Sequence, residues 1–252
     1  MKITRVRAPL GPEHERIREA DVTLPQGYKA WRHFEDIWKG SEFYFDIESY
    51  VNALHWRKKR PLELLDSGCG SGKVLGQLKQ GVRAFTLYRS VSLGVYPGYY
   101  QDVPFKVPES MGLKERARIT GVTLHEEHSE SAENNGLDEL IIGPAERHAF
   151  DRQFDVILDY AGPAFYFPSR AIPLYRGIIQ PDGILIVWLM WDWEKGLITG
   201  DFSRETFNRE ELLERNRFRI LAKDEYNFIA TPSKESMDRA LFQECLYPLK
   251  IR

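Results

Sequence analysis

The residues Asp66-Ser67-Gly68-Cys69-Gly70-Ser71-Gly72 set glycines at every second position behind an acid. Alternating glycines let a backbone turn sharply and approach a ligand with no side chain between them. Two familiar phosphate-holding patterns do not fit this spacing. A dinucleotide fingerprint needs its third glycine where Lys73 stands, and a phosphate-binding loop needs glycine at Ser67 and a hydroxyl residue at Val74. Downstream, His125-Glu126-Glu127-His128 collects imidazoles and carboxylates, but its histidines miss the His-Glu-x-x-His zinc spacing. Neighbouring acids and Asn134-Asn135-Gly136 make that stretch an exposed loop, and no metal is expected. The run Arg57-Lys58-Lys59-Arg60 either touches phosphate or forms a solvated helix end. His148 is a candidate base.

A turn of this kind needs a strand to enter it and a helix to leave it. Residues 62–65, just after Pro61, form a short apolar strand. Residues 73–80 carry Val74, Leu75 and Leu78 at helical spacing, and residues 84–88 are the second strand candidate. From 91 to 136 the pattern breaks into glycine, proline, tyrosine and charge, with a short helix near 109–118 and an acidic stretch at 125–133. This segment reads as an elaborated crossover or insertion. Residues 139–142, 154–158 and 184–189 are apolar enough for central parallel strands covered on both faces. A helix over 171–179 and the turn Pro181-Asp182-Gly183 precede the last of them, and a polar helix at 204–216 and strands at 218–222 and 240–247 follow. Upstream, Trp31, Phe34, Ile37 and Trp38 at helical spacing, then Phe43-Tyr44-Phe45, predict a helical extension over residues 1–60 ahead of a domain over 61–252. That extension is either a substrate lid or a packing element. The alternation predicts an α/β, doubly wound sheet, and such sheets bind ligands beyond the carboxyl ends of their strands.

The spacing Asp66-x-Gly68-x-Gly70-x-Gly72 resembles the first motif of the Rossmann-like (class I) S-adenosylmethionine-dependent methyltransferases. Residues 139–150, ELIIGPAERHAF, resemble that family's third strand and the loop beside the adenine. Residues 153–160 resemble its fourth strand, and 179–185 the turn into its fifth. The resemblance covers roughly residues 62–90 and 137–250. It implies a mostly parallel seven-stranded sheet with an antiparallel C-terminal strand, and S-adenosyl-L-methionine as cofactor. Asp66, Ser67, Gly68, Cys69, Gly70 and Gly72 would then meet its methionine and ribose, and Ala145 and Glu146 its adenine. An ungapped alignment puts Tyr88 at the ribose, where the family commonly has an acid, unless Asp102 or another acid of the insertion fills that role. Pro144 replaces a second commonly acidic residue, with Glu146 nearby as a substitute. Asp159, ending the fourth strand, would face the cofactor, and Asp159 or Tyr160 would orient a nucleophile or act as base.

Composition narrows the partners. With 35 basic and 37 acidic residues, the net charge of −2 leaves no global footprint for nucleic acid or an anionic membrane. No apolar run approaches the ~20 residues that span a bilayer, and no signal sequence is visible, so a cytoplasmic protein is expected. Cys69 and Cys245 are expected to be reduced thiols. The expected activity is methyl transfer to a small molecule met by Trp31, Phe34, Tyr44 and Tyr166. Phe165 and Phe167 would line the pocket, and Trp191, Asp192 and Trp193 would close a wall. Tyr88 and Pro144 keep open a non-catalytic or repurposed member of the fold that binds another ligand or a protein. A nucleic-acid methyltransferase is a third reading, although residues 159–163 lack the Asn/Asp-Pro-Pro-Tyr/Phe motif.

Overall fold

A computed structural model describes residues 1–7, 9–23, 41–81, 101–102, 112–160, 162–189, 208–232, 238–248 and 250–251. The first half contains Lys2–Arg5 (β1), Pro12–Thr23 (α1), Phe43–Phe45 (β2), Ile47–Lys58 (α2), Leu62–Ser67 (β3), Lys73–Gln80 (α3), Gln101–Asp102 (β4) and Ala117–Thr123 (β5). Then come Ser129–Asn134 (α4), Glu139–Ile142 (β6), Phe154–Asp159 (β7), Pro163–Tyr166 (α5), Pro168–Ile178 (α6) and Ile179–Trp188 (β8). Arg209–Arg215 (α7), Arg219–Lys223 (β9), Asn227–Thr231 (β10), Arg239–Glu244 (α8), Leu246–Pro248 (β11) and Lys250–Ile251 (β12) complete the order.

The main sheet runs β1-β6-β5-β3-β7-β8-β10-β9. Strands β1 to β8 in that order pair in parallel, and β10 is antiparallel to both its neighbours. The central strands read as continuous apolar runs because successive side chains enter opposite faces and both faces are covered. Leu64, Val156, Leu158, Ile184 and Ile186 join one core with α2, α3 and α8. Leu65, Ile157, Leu185 and Val187 join the other with α6 and α7. This is the doubly wound α/β architecture, with the antiparallel strand expected near the C-terminus.

Several expectations are corrected. Among the described residues the sheet has eight strands rather than seven, because Lys2–Arg5 pairs with β6 at the edge, so the first 60 residues are not simply helical. The second strand beside β3 is Ala117–Thr123, in register Asp66↔Gly121 and Ser67↔Val122. Of the helix expected near 109–118, the described residues 112–118 hold one 3-10 turn, Lys114–Arg116, that leads into this strand. The acidic stretch is the helical crossover from β5 to β6, and His125 is buried rather than looped out. Residues 240–247 are mainly helix: the Asp238 side chain accepts from the Leu241 amide at 2.9 Å and starts α8, and only Leu246–Pro248 extends, pairing with β2 outside the main sheet. Trp31, Phe34, residues 84–88 with Tyr88, and Trp191, Asp192 and Trp193 lie outside the described residues.

The basic run at the end of α2 is engaged by carboxylates at the amino edge of the sheet. Arg60 donates from Nη1 and Nη2 to the two oxygens of Asp155 at 2.8 and 2.7 Å. Lys58 Nζ bridges Asp155 and Asp182 at 2.7 and 2.8 Å, and the Glu63 amide donates to Asp155 at 2.9 Å. Arg57 is paired with Asp238.

Candidate functional site

The glycine turn leaves the carboxyl end of β3, between β5 and β7, where the strand order places the crevice of an open α/β sheet. The amides of Gly68 and Cys69 both donate to the Val122 carbonyl at 3.0 and 2.9 Å, which ties the turn to the end of β5. Gly70 has φ +50°, and a Cβ placed there would meet nothing within 4 Å. Gly70 therefore presents bare backbone to open space, whereas Gly72 packs on Leu137, whose Cδ1 would lie 2.5 Å from an added Cβ. On the other flank, a Cβ at Gly162 would lie 1.9 Å from the Ser67 carbonyl, so only glycine lets the loop after β7 come this close.

Asp66 is the unusual group of this edge. It is 5% exposed, and its Oδ2 is buried with no hydrogen-bond partner. Burial, reinforced by the charge of Asp159, pushes its carboxyl up to about 7. A buried carboxyl lacking a partner costs free energy unless a ligand completes it. Ser67 points instead to α6, where its Oγ is hydrogen-bonded with the Tyr175 hydroxyl at 2.8 Å. Cys69 is buried, and burial together with the Asp66 charge holds its thiol well above the usual range, so it is no thiolate nucleophile.

Asp159 is fully buried and organises the loop after β7. Its oxygens accept from the Gly162 amide at 2.8 Å, the Ala164 amide at 2.7 Å and the Tyr175 hydroxyl. Burial raises its carboxyl, with those three donors pulling the other way. Tyr160 stacks on Trp188 at 5.0 Å, and Phe165 stacks on the same indole at 5.1 Å. Burial raises the Tyr160 phenol, which keeps it protonated near neutrality. Tyr166 packs edge-on against Phe165, and Phe167 is buried.

The strand beside β3 ends at Thr123, and Leu124 and His125 follow it, while Tyr88 lies outside the described residues. Asp102 is not at that end, since its strand pairs with Lys250–Ile251 in a separate ribbon. The His125 amide donates to Thr123 Oγ1 at 3.2 Å, and its ring lies 5.3 Å from that of His128. Ala145 is buried beyond β6. Glu146, expected at the adenine, is already engaged: its Oε1 lies 2.5 Å from Nε2 of His14. Burial raises the Glu146 carboxyl, but the His14 hydrogen bond and other contacts outweigh it and leave the group lowered.

That contact belongs to the packing of α1. Ile17 of α1 packs with Leu124, Tyr166 and Phe167, while Glu13 pairs with Arg170 at 3.2 Å. Helix α1 thus touches the segments that follow β5, β6 and β7, at the carboxyl edge of the sheet. Sequence reasoning did not single out His14, Ile17, Thr123 or Trp188.

Two expected site residues sit elsewhere. His148 lines a small cavity of about 90 Å³ with Lys2, Thr4, Glu139 and Arg152, and Glu139 is the first residue of β6. The cavity starts at the amino edge, and burial lowers the imidazole there. Tyr44 is 1% exposed, paired with Tyr247 in the β2–β11 ribbon and enclosed in the core.

No family model matches the chain, and no curated protein matches it. Among solved structures, it is similar to a TehB-like SAM-dependent methyltransferase from Corynebacterium glutamicum, at 12% identity over 94% of this chain and 98% of that one, TM-score 0.42. It is also similar to 1,6-didemethyltoxoflavin-N1-methyltransferase from Burkholderia thailandensis, solved with 1,6-didemethyltoxoflavin and S-adenosylhomocysteine, at 18% identity over 89% and 91%, TM-score 0.44. A third is an S-adenosylmethionine-dependent methyltransferase from Clostridium acetobutylicum, at 10% identity over 86% and 99%, TM-score 0.48. The strand order above, rather than these likenesses, defines the fold.

Proposed function

We propose that the chain is an S-adenosylmethionine-dependent methyltransferase acting on a small molecule, with the cofactor held over the glycine turn. One observation carries this reading: a buried Asp66 oxygen without a partner, beside a glycine turn whose Gly70 faces open space at the carboxyl edge. The donor set fits the cofactor. Asp66 supplies a carboxylate for its ammonium group, Gly70 leaves room for close approach, and Thr123 and His125 supply polar groups at the end of β5. Ala145 and the His14–Glu146 pair bound the side expected for the adenine.

When bound, the cofactor supplies an electrophilic methyl group, so the chain's own work is positioning and exclusion of water. Tyr160, Trp188 and Phe165 form an aromatic wall for the acceptor. Asp159 acts as a positioning residue, because its oxygens hold the loop that carries Tyr160. The non-catalytic reading drew on Tyr88 and Pro144; the strand beside β3 is Ala117–Thr123, which weakens the first of these grounds, while Pro144 remains beyond β6. The nucleic-acid reading loses the basic run, since Arg57, Lys58 and Arg60 are paired with acids.

Saturating S-adenosylhomocysteine, at about 100 times its dissociation constant, should raise the melting temperature of the wild type by roughly 5–10 °C. Gly70→Phe carries its side chain into open space but on a backbone at φ +50°, which strains it, so circular dichroism checks its fold; with the fold retained it should show no such rise. An equal rise in the variant would place the ligand elsewhere.

A further inference from the structure

Asn227 opens β10 and stands opposite Trp188, the last residue of β8, in the antiparallel ladder. Residues directly opposed in a ladder put their side chains on one face of the sheet. On the other side of β8, Val187 is opposed by Asp159, so Tyr160 comes next to Trp188, and the two rings stack at 5.0 Å. Phe165 stacks on the same indole at 5.1 Å. Leu64, Leu158, Ile186 and Ile229 share one core, and each is two residues from Asp66, Tyr160, Trp188 and Asn227 in turn. Those four side chains therefore lie on one face at the carboxyl edge, in the strand order β3, β7, β8, β10. With strands about 4.8 Å apart, Asn227 stands roughly 10 Å from the strand that leads to Tyr160 and roughly 14 Å from that of Asp66.

Asn227 is half satisfied. It is 7% exposed, and its Oδ1 is buried with no hydrogen-bond partner. Its Nδ2 donates to both oxygens of Asp224 at 3.0 Å. Asp224 also accepts from Ser41 Oγ at 2.5 Å and from the amides of Glu42, Tyr226 and Asn227 at 3.2, 2.9 and 2.8 Å. A carboxylate only accepts, so the Asn227 amide cannot turn round without setting oxygen against oxygen. Asp224 thus fixes Oδ1 facing away from the turn between β9 and β10. Holding that turn needs Nδ2 alone, and the oxygen left over costs free energy that a bound donor would recover.

Resting on the methyltransferase reading, we propose that Asn227 selects the methyl acceptor: its Oδ1 accepts a hydrogen bond from an N–H or O–H of a planar aromatic molecule whose ring lies against the Tyr160–Trp188–Phe165 stack. Asp224 is a positioning residue that acts through Asn227. The class of molecule follows from the row. Stacked aromatic side chains favour a flat apolar ring, and the amide oxygen beyond them calls for a donor. The donor that reaches Asn227 is an anchor remote from the glycine turn, not the atom that takes the methyl group. A molecule with the same ring but a methylated donor loses that bond and leaves Oδ1 stranded, so the site discriminates against it.

The test measures equilibrium binding of two probe pairs to the protein saturated with S-adenosylhomocysteine: indole against N-methylindole, and naphthol against methoxynaphthalene. Within each pair the ring is kept and the donor removed. The wild type should bind indole and naphthol about tenfold more tightly than their methylated partners. In Asn227→Ala that preference should vanish. Asp224 keeps its other donors there, so the variant should fold, with circular dichroism and S-adenosylhomocysteine affinity unchanged. A merely structural role would weaken both members of a pair together and leave their ratio intact. Asp224→Asn, whose amide can donate to Oδ1 and let Asn227 turn, should lower the ratio as well. Equal affinities within both pairs in the wild type, a preference that survives Asn227→Ala, or no binding of any probe while S-adenosylhomocysteine binds would overturn the proposal and leave the methyltransferase reading standing. Failure of S-adenosylhomocysteine itself to bind would overturn that reading and this proposal with it.

Discussion

Asp66→Asn is expected to weaken S-adenosylhomocysteine binding about 10–100-fold, the worth of a charge-assisted hydrogen bond, while making the empty protein more stable near pH 8. The two effects have one origin. A buried carboxyl with an unpartnered oxygen suits a bound cation and is costly without one. The sign follows from proton counts. An unfolded aspartate titrates near pH 4, whereas Asp66 in the fold is pushed up to about 7. Between these values the folded state holds a proton that the unfolded chain has released, so stability falls as pH rises through the window. Asparagine removes that loss, and the variant should exceed the wild type by roughly 2–4 kcal/mol near pH 8 and match it near pH 4. Urea unfolding at both pH values, with calorimetric binding on the same samples, checks the pairing. A variant that is less stable than the wild type near pH 8 would mean that Asp66 is a structural residue.

Asp155→Ala tests the opposite edge of the sheet and should act on stability alone. Asp155 is fully buried and receives Arg60, Lys58 and the Glu63 amide. Burial raises its carboxyl, but the Arg60 and Lys58 hydrogen bonds and the Glu63 amide outweigh it and hold the group low. Removing the acid strands those donors. Arg60 reaches solvent and Lys58 keeps Asp182, so the expected loss is about 2–4 kcal/mol, at the lower side of what breaking a buried ion pair costs. The pH dependence runs opposite to that of Asp66. The contribution of Asp155 is complete above the unfolded value near pH 4 and disappears as pH falls through its lowered folded value. The gap between wild type and variant in urea midpoint should therefore close in acid. A gap that does not narrow on acidification would point to lost packing instead of charge.

The two edges also explain what was legible beforehand. Strands β3, β6, β7 and β8 stood out as apolar runs because both of their faces are covered, and the glycine turn stood out because its spacing excluded rival motifs. Strand β5 did not, since Lys114, Glu115 and Arg116 before it are good helix formers and Thr120, Gly121 and Thr123 within it are small or polar. Missing it moved the end of the second strand to Tyr88. Strand β1 was hidden because an edge strand tolerates charges such as Lys2 and Arg5. In residues 240–247, Leu241, Phe242 and Leu246 suit either element, and the Asp238 cap decides for helix. Contacts such as His14 to Glu146, separated by 132 positions, leave no trace in spacing, so the packing of α1 at this edge was unreadable in detail. Trp188 was passed over because it ends an apolar strand, where an aromatic reads as core.

The central claim, a cofactor site over the glycine turn, is tested most directly by titrating the wild-type protein with S-adenosylhomocysteine in a calorimeter near pH 8, where Asp66 is ionised. Saturable heat for one site, with a dissociation constant in the micromolar range, is the expected result. No heat of binding at millimolar ligand would contradict the account.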